Sequence, residues 1–292
     1  MKTALIRNMF PVVGVALIVL TAFAGPAQAL QTRYREAIDL SAEQRTLTQM
    51  MSKEMLLIAL GVDPDRNVGN LRRHRERFAE VLRALRNGDE QMDLPAHDDP
   101  KILAELARAE GVWPEFDEEV RQVLASGLVT RDQVAAFART DTNLLGALDG
   151  VLAAYEEAAA HWGRNSVFTN SLHLIELQRE LTQQMSKEFL LIAYGIDVPA
   201  NRANLTRSID DFDGYLRALI EGDPEHAVLA APTPELQAQF ADVAATWYSM
   251  IPVLNAIADG RTVDVETMRR VDGLSNDLLE EIDTALAIME SL

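Results

Sequence analysis

Cysteine is absent from the 292 residues. That excludes disulfides, thiolate metal sites and a cysteine nucleophile, so packing alone must hold the fold. Positive charge is scarce: 27 Lys and Arg stand against 45 Asp and Glu, a formal net charge of -18. A surface that acidic argues against nucleic acid and anionic lipid as partners. It leaves room for one small anion in a local basic pocket. No apolar run of spanning length follows the first thirty residues, so no membrane span is expected in the mature chain. Nucleophile elbows, phosphate loops and paired carboxylates in a defined context are missing, and an enzyme is not expected. The five histidines form no Glu-x-x-His pair of the di-iron kind, and His173 with Glu176, in reversed spacing, reads as helix surface. No metal and no cofactor are expected.

The first thirty residues carry a targeting signal. Lys2 and Arg7 precede an apolar run, and Ala27-Gln28-Ala29 supplies the small-x-small pattern of a cleavage site. Residues 1–29 read as a signal peptide cut after Ala29, an uncleaved anchor being the alternative. Export to the periplasm is expected, with the mature net charge near -20 once two positive charges are lost.

Beyond this signal the chain is written twice. QRTLTQMMSKEMLLIALG at residues 44–61 returns as QRELTQQMSKEFLLIAYG at 178–195. A shift of 134 positions overlays residues 44–89 on their copy without a gap, with about 26 of 46 identical. The register continues through Asp99-Pro100 on Thr233-Pro234, Trp113 on Trp247 and Leu144-Leu145 on Leu278-Leu279. Over residues 90–150, however, only about 9 of 61 positions match. The first half of each unit stayed alike while the second drifted, which a recent copying event would not produce.

Each unit reads as four helices, and strand patterns are absent. The first runs from about residue 32 to 60 and stops at Gly61, suited to a left-handed cap. The second opens near Asn67 and stops at Gly88. The third starts at Asp99-Pro100, a cap followed by proline at the first helical position. The fourth starts at Thr130, with Gln133 as capping-box partner. The second unit repeats these signals at Gly195, Asn201, Gly222, Thr233-Pro234 and Asp264. The expected fold is all-α: two tandem up-down four-helix bundle units, at residues 30–162 and 167–292, able to pair as an internal pseudo-dimer. The link between them is Gly163-Arg164-Asn165-Ser166.

At 100° per residue, Leu47, Met51, Met55 and Ile58 make the core stripe of the first helix. Arg45, Thr48, Gln49 and Ser52 gather on another side, and Arg179, Thr182, Gln183 and Ser186 repeat them letter for letter. A merely solvated face would tolerate other polar residues, so this stripe is expected to touch something specific. The plainer alternative is that both arginines make ordinary salt bridges. Lys53-Glu54 and Lys187-Glu188 read as solvated charge. Trp113 and Trp247 read as core.

The stretch from Ile38 to Glu54, built on Gln44-Arg45-x-Leu47-Thr48-Gln49-x-Met51-Ser52-Lys53-Glu54, resembles the signature of PilJ-type sensory domains. These are the periplasmic four-helix input domains of type IV pilus methyl-accepting transducers, and they are similar to nitrate/nitrite sensor input domains. The resemblance implies that the first-helix arginine meets its mate with an anion between them. The matching positions are Arg45 and Arg179, with Gln49, Gln183, Thr48 and Thr182 as supporting donors. Met50 and Gln184 stand where the family often has a second arginine. The flanking spans and the cytoplasmic transducer domain are missing here.

The reading is therefore a non-catalytic periplasmic module that binds a small oxyanion between the first helices and signals to a membrane-bound transducer or kinase partner. Its rival is a ligand-free helical interaction protein, whose repeated stripe is a contact with an envelope or pilus-linked complex.

Overall fold

The computed structural model describes residues 26–160 and 167–292. The signal-peptide reading thus falls mostly, and the link Gly163-Arg164-Asn165-Ser166 wholly, outside the described residues. The helices are α1 (Pro26–Ala59), α2 (Pro64–Asn87), α3 (Pro100–Ser126), α4 (Arg131–Ala160), α5 (Val167–Tyr194), α6 (Val198–Glu221), α7 (Pro234–Ala258) and α8 (Val265–Glu290). Two isolated bridges, Asp89 with Leu94 and Asp223 with Val228, are the only extended pairings among the described residues. They too are related by the 134-residue shift.

The punctuation follows from local chemistry. Asp99 accepts from the amides of Lys101 and Ile102, Thr233 from Leu236 and Asp264 from Thr267. Thr130 and Gln133 exchange hydrogen bonds of 2.8 and 3.3 Å, a complete capping box. The opening of α2 differs from the expectation, lying at Pro64 instead of near Asn67. Asp63 turns the chain through a left-handed backbone (φ 41), and Asn67 folds its amide back onto Val62 O at 2.7 Å. Asp197 and Asn201 repeat this turn (φ 37; Ile196 O at 2.9 Å). Gly88, at φ 78, is required, because a Cβ there would lie 2.5 Å from Ala96 N.

In each unit the first helix packs against the second and fourth, and the third against the fourth, giving a four-helix bundle. Phe78 stacks on Trp113 with centroids 4.1 Å apart, and Phe212 lies tilted against Trp247 at 4.4 Å. Trp247 is fully buried and Trp113 half-buried, which agrees with core packing. The units are not beads on a string. α1 packs along α5 in the same direction, with α4 and α8 flanking that seam. Arg35 near the start of α1 reaches Glu290 at the end of α8 (3.1 Å), while Arg269 near the start of α8 reaches Asp63 past the end of α1 (3.1 Å).

Candidate functional site at the seam of the two units

The repeated polar stripe lies buried in the middle of the molecule. Thr48, Gln49 and Ser52, and their twins Thr182, Gln183 and Ser186, are at most 1% exposed. Buried polar groups need partners, and the two copies find them in matching ways. Gln44 Nε2 donates to Phe78 O at 3.1 Å, and Gln178 Nε2 to Phe212 O at 3.4 Å. Thr48 Oγ1 donates to Gln44 O and Thr182 Oγ1 to Gln178 O, at 2.9 and 2.8 Å. The two threonine hydroxyls expected to support a ligand thus donate to their own helices. Gln183 Nε2 donates to Ser275 Oγ at 3.2 Å, and Ser52 Oγ to Asp141 at 2.7 Å.

Arg45 and Arg179 each lie between two carboxylates. Arg45 Nη2 is 2.8 Å from Glu180 Oε2, and its Nε is 2.8 Å from Asp149 Oδ1, although too poorly aligned there for a hydrogen bond. Arg179 Nε donates to Asp283 at 2.6 Å and Nη1 to Glu176 at 2.9 Å. Asp149 and Asp283 are twins under the 134-residue shift, so each first-helix arginine pairs with the fourth helix of its own unit. The second carboxylate comes from α5 in both cases. Glu176, expected on the helix surface, is instead half-buried here. Beside these pairs the seam holds a cavity of about 130 Å³. Ile38, Leu152 and Leu286 wall it, and Asp39, Glu176 and Glu180 bring their carboxylates to it.

Burial raises the pKa of Glu180 and Glu176 above the usual carboxylate range. Asp39 is pushed from 3.8 up to about 7, by burial first and then by Glu176 and Glu290. A carboxyl raised on folding stabilises the fold while it is protonated, and that contribution is lost as pH rises through the folded pKa. Stability should therefore fall between about pH 4 and pH 7, and Asp39→Asn should flatten the fall and stabilise the chain above pH 7. Full linkage would give about 4 kcal/mol. The third of the Asp39 side chain that remains in water cuts this to about 1–2 kcal/mol. Urea unfolding across that pH range checks it; parallel curves for Asp39→Asn and the native chain would refute it.

The Lys-Glu pairs, expected to be solvated, are the largest correction. Lys53 is 3% exposed, sits 3.2 Å from Asp272 of α8 and donates to Asn276 at 2.8 Å. Lys187 donates to Asp141 of α4 at 2.6 Å. Each lysine thus crosses the seam to the fourth helix of the other unit. Glu54, 1% exposed, lies 2.8 Å from His74 Nδ1 of α2, and its twin Glu188 accepts from Ser208 of α6, the twin of His74, at 3.0 Å. The polar letters of the phrase are buried: Gln44 and Glu54 tie the first helix to the second, Ser52 ties it to the fourth, and Lys53 ties unit to unit. That pairing across units is invisible to the periodicity of one helix. The only signal for it was the identity of the polar residues in the two copies.

Among the described residues no group of three or more His, Asp and Glu is placed to hold a metal ion, and no helix is long and apolar enough to cross a membrane. No curated protein is similar enough to the chain to be matched. The family described as the type IV pili methyl-accepting chemotaxis transducer N-terminal domain, PilJ, matches residues 29–140 and again 177–267. These segments cover more than half of the chain, one in each unit. The chain belongs to this family, whose domains are sensory.

Proposed function

We propose that this PilJ-family chain is a non-catalytic sensory module, exported to the periplasm, whose signal is the packing of α1 against α5. One observation carries this reading: the first helices of the two units lie side by side, and Arg45, Lys53 and Lys187 reach across that seam to Glu180, Asp272 and Asp141. Any change of charge in that seam must shift one unit on the other, and a membrane-bound transducer or kinase is the partner that would respond. Burial of Thr48, Gln49 and Ser52 weighs against the rival in which the stripe is a contact for another protein.

A small oxyanion would act at the seam by exchange. It would take Arg45 from Asp149 and Glu180, or Arg179 from Glu176 and Asp283, accepting forked hydrogen bonds from the guanidinium groups. Because burial holds Glu176 and Glu180 toward their protonated forms, mild acid weakens these competitors and favours the exchange.

The test is thermal unfolding of the mature chain with nitrate, nitrite, sulfate, phosphate and small carboxylates, on both sides of neutral pH. A ligand at 100 times its Kd adds about 2.7 kcal/mol, or about 5–10 °C in Tm for a chain of this size. The expected shift is larger in mild acid and is lost in both Arg45→Ala and Arg179→Ala. No shift with any anion would remove the oxyanion from this reading.

A further inference from the structure

The 134-residue shift gives every position in one unit a twin in the other, so the two clefts beside the seam should match. They do not. In the first cleft, α8 faces the junction of α1 and α2. Arg66 reaches Asp272, which also holds Lys53, and Arg269 Nε lies 3.1 Å from both oxygens of Asp63. Two guanidinium groups, each partly in water, are ion-paired in that cleft.

In the second cleft, α4 faces the junction of α5 and α6. The twins of Arg66, Arg269 and Asp272 are Ala200, Ala135 and Ala138. All three line an open cleft of about 690 Å³, a volume in the range of small-molecule sites. What the guanidinium groups bind in the closed twin is partly retained here. Asp197, twin of Asp63, keeps the same left-handed backbone (φ 37 against 41) with no arginine on it. Asp141 stands one turn along α4 from Ala138, holding Lys187.

A second observation points the same way. Gln49 lines this cleft, is 1% exposed, and its Oε1 has no hydrogen-bond partner. Its twin Gln183 has an unpaired Oε1 as well, but its Nε2 is anchored on Ser275, whereas the residue at that place here is Asp141, already taken by Ser52 and Lys187. A buried acceptor with no donor is costly, and a ligand carrying N–H groups would satisfy it. The lining sets Asp141, Asp149 and Asp197 against Arg45, Arg139 and Lys187, while burial holds Glu180 and Glu188 toward their protonated forms. Asp141 and Asp149 are already ion-paired with Lys187 and Arg45, which leaves the Asp197 carboxylate for a ligand, and the whole chain, at -18, draws cations.

We propose that the open cleft between α4, α5 and α6 binds a small organic cation bearing guanidinium or amine groups, occupying against Asp197 and Gln49 the space that Arg66 and Arg269 fill in the closed twin. In the closed cleft the pair of Arg269 with Asp63 is the counterpart of the contact proposed for Asp197. This site shares Arg45, Asp149 and Glu180 with the oxyanion exchange at the seam, but it is argued from Asp197 and Gln49 and does not depend on that exchange.

Calorimetric titration of the mature chain with agmatine, which carries both groups, tests it. Saturable binding is expected at millimolar concentration or below. Asp197→Asn, which tolerates the left-handed backbone well, should weaken it about tenfold, the value of one lost charged contact near 1.4 kcal/mol. The triple variant Ala135→Arg/Ala138→Asp/Ala200→Arg copies the closed twin, and it should abolish binding with a Tm no lower than that of the native chain. Absence of saturable binding, or undiminished binding in Asp197→Asn, would overturn the proposal. So would undiminished binding in the triple variant; if that variant folds poorly, Ala200→Arg alone must still weaken binding. A nitrate shift that depends on Arg45 alongside a null agmatine titration would retain the seam reading and discard this one.

Discussion

Asp272→Ala should destabilise the chain by about 3–5 kcal/mol and lower Tm by on the order of 10 °C. Asp272 and Lys53 are each 3% exposed, and removing the carboxylate leaves the ammonium buried with only the Asn276 carbonyl oxygen, 2.8 Å away. A stranded buried charge costs far more than a lost surface pair, because nothing replaces the hydration it gave up. The double variant Lys53→Met/Asp272→Leu should recover most of the loss, since an apolar pair of similar volume removes the charge along with its partner. Arg66, half in water, can stay solvated. Circular dichroism against temperature and urea reads both. A loss below about 1 kcal/mol for Asp272→Ala, the range of surface pairs, would mean that the lysine finds water after all.

Trp247→Ala is the second large effect, at about 3–5 kcal/mol for a buried aromatic truncated to a methyl group. Trp247 is fully buried against Phe212, and its indole donates to Asp213 at 3.3 Å. Trp113→Ala should cost less, because Trp113 is only half-buried in the matching place. The informative experiment combines Trp247→Ala with Trp162→Phe, leaving Trp113 as the single tryptophan of the three. Its fluorescence then reports the first unit while the lesion sits in the second. If the lysine bridges and the α1–α5 contact tie the units together, Trp113 fluorescence and circular dichroism will show one coincident transition at a lowered midpoint. A Trp113 transition at the native midpoint would show the units unfolding independently, contrary to this account.

Much of the fold was legible because its boundaries are local. Asp99-Pro100, Thr130 with Gln133, Thr233-Pro234 and Asp264 act within three residues of themselves, and each caps the helix it announced. Asp63 was missed because it caps through its backbone and makes no side-chain cap bond. The site was less legible, for a different reason. A helical wheel divides α1 into a face toward its own bundle and a face away from it. Lys53 and Arg45 fall on the second face, which a single bundle would leave in water. What covers that face lies more than a hundred residues away, in Glu180, Asp272 and the rest of α5 and α8. Asp272 comes from the half that drifted, and Glu180, although in the half that stayed alike, has Thr46 as its twin, so the overlay gave no hint of either. The exception is Asp149 with Asp283, one of the few matches in the drifted half, each of which pairs with the first-helix arginine of its own unit.

A dimer of identical subunits answers every substitution twice, once on each side of its axis. Here the axis passes through one polypeptide, and a change on one side leaves the other as it was. Arg66 against Ala200 and Arg269 against Ala135 are differences that a homodimer cannot hold. The joined chain therefore escapes the symmetry that its architecture inherits. It would carry the proposed cation site once per molecule by covalent structure, with no need for one half to inhibit the other. Its seam also forms in a unimolecular step, so occupancy of a ligand will follow ligand concentration alone, independent of how dilute the protein becomes.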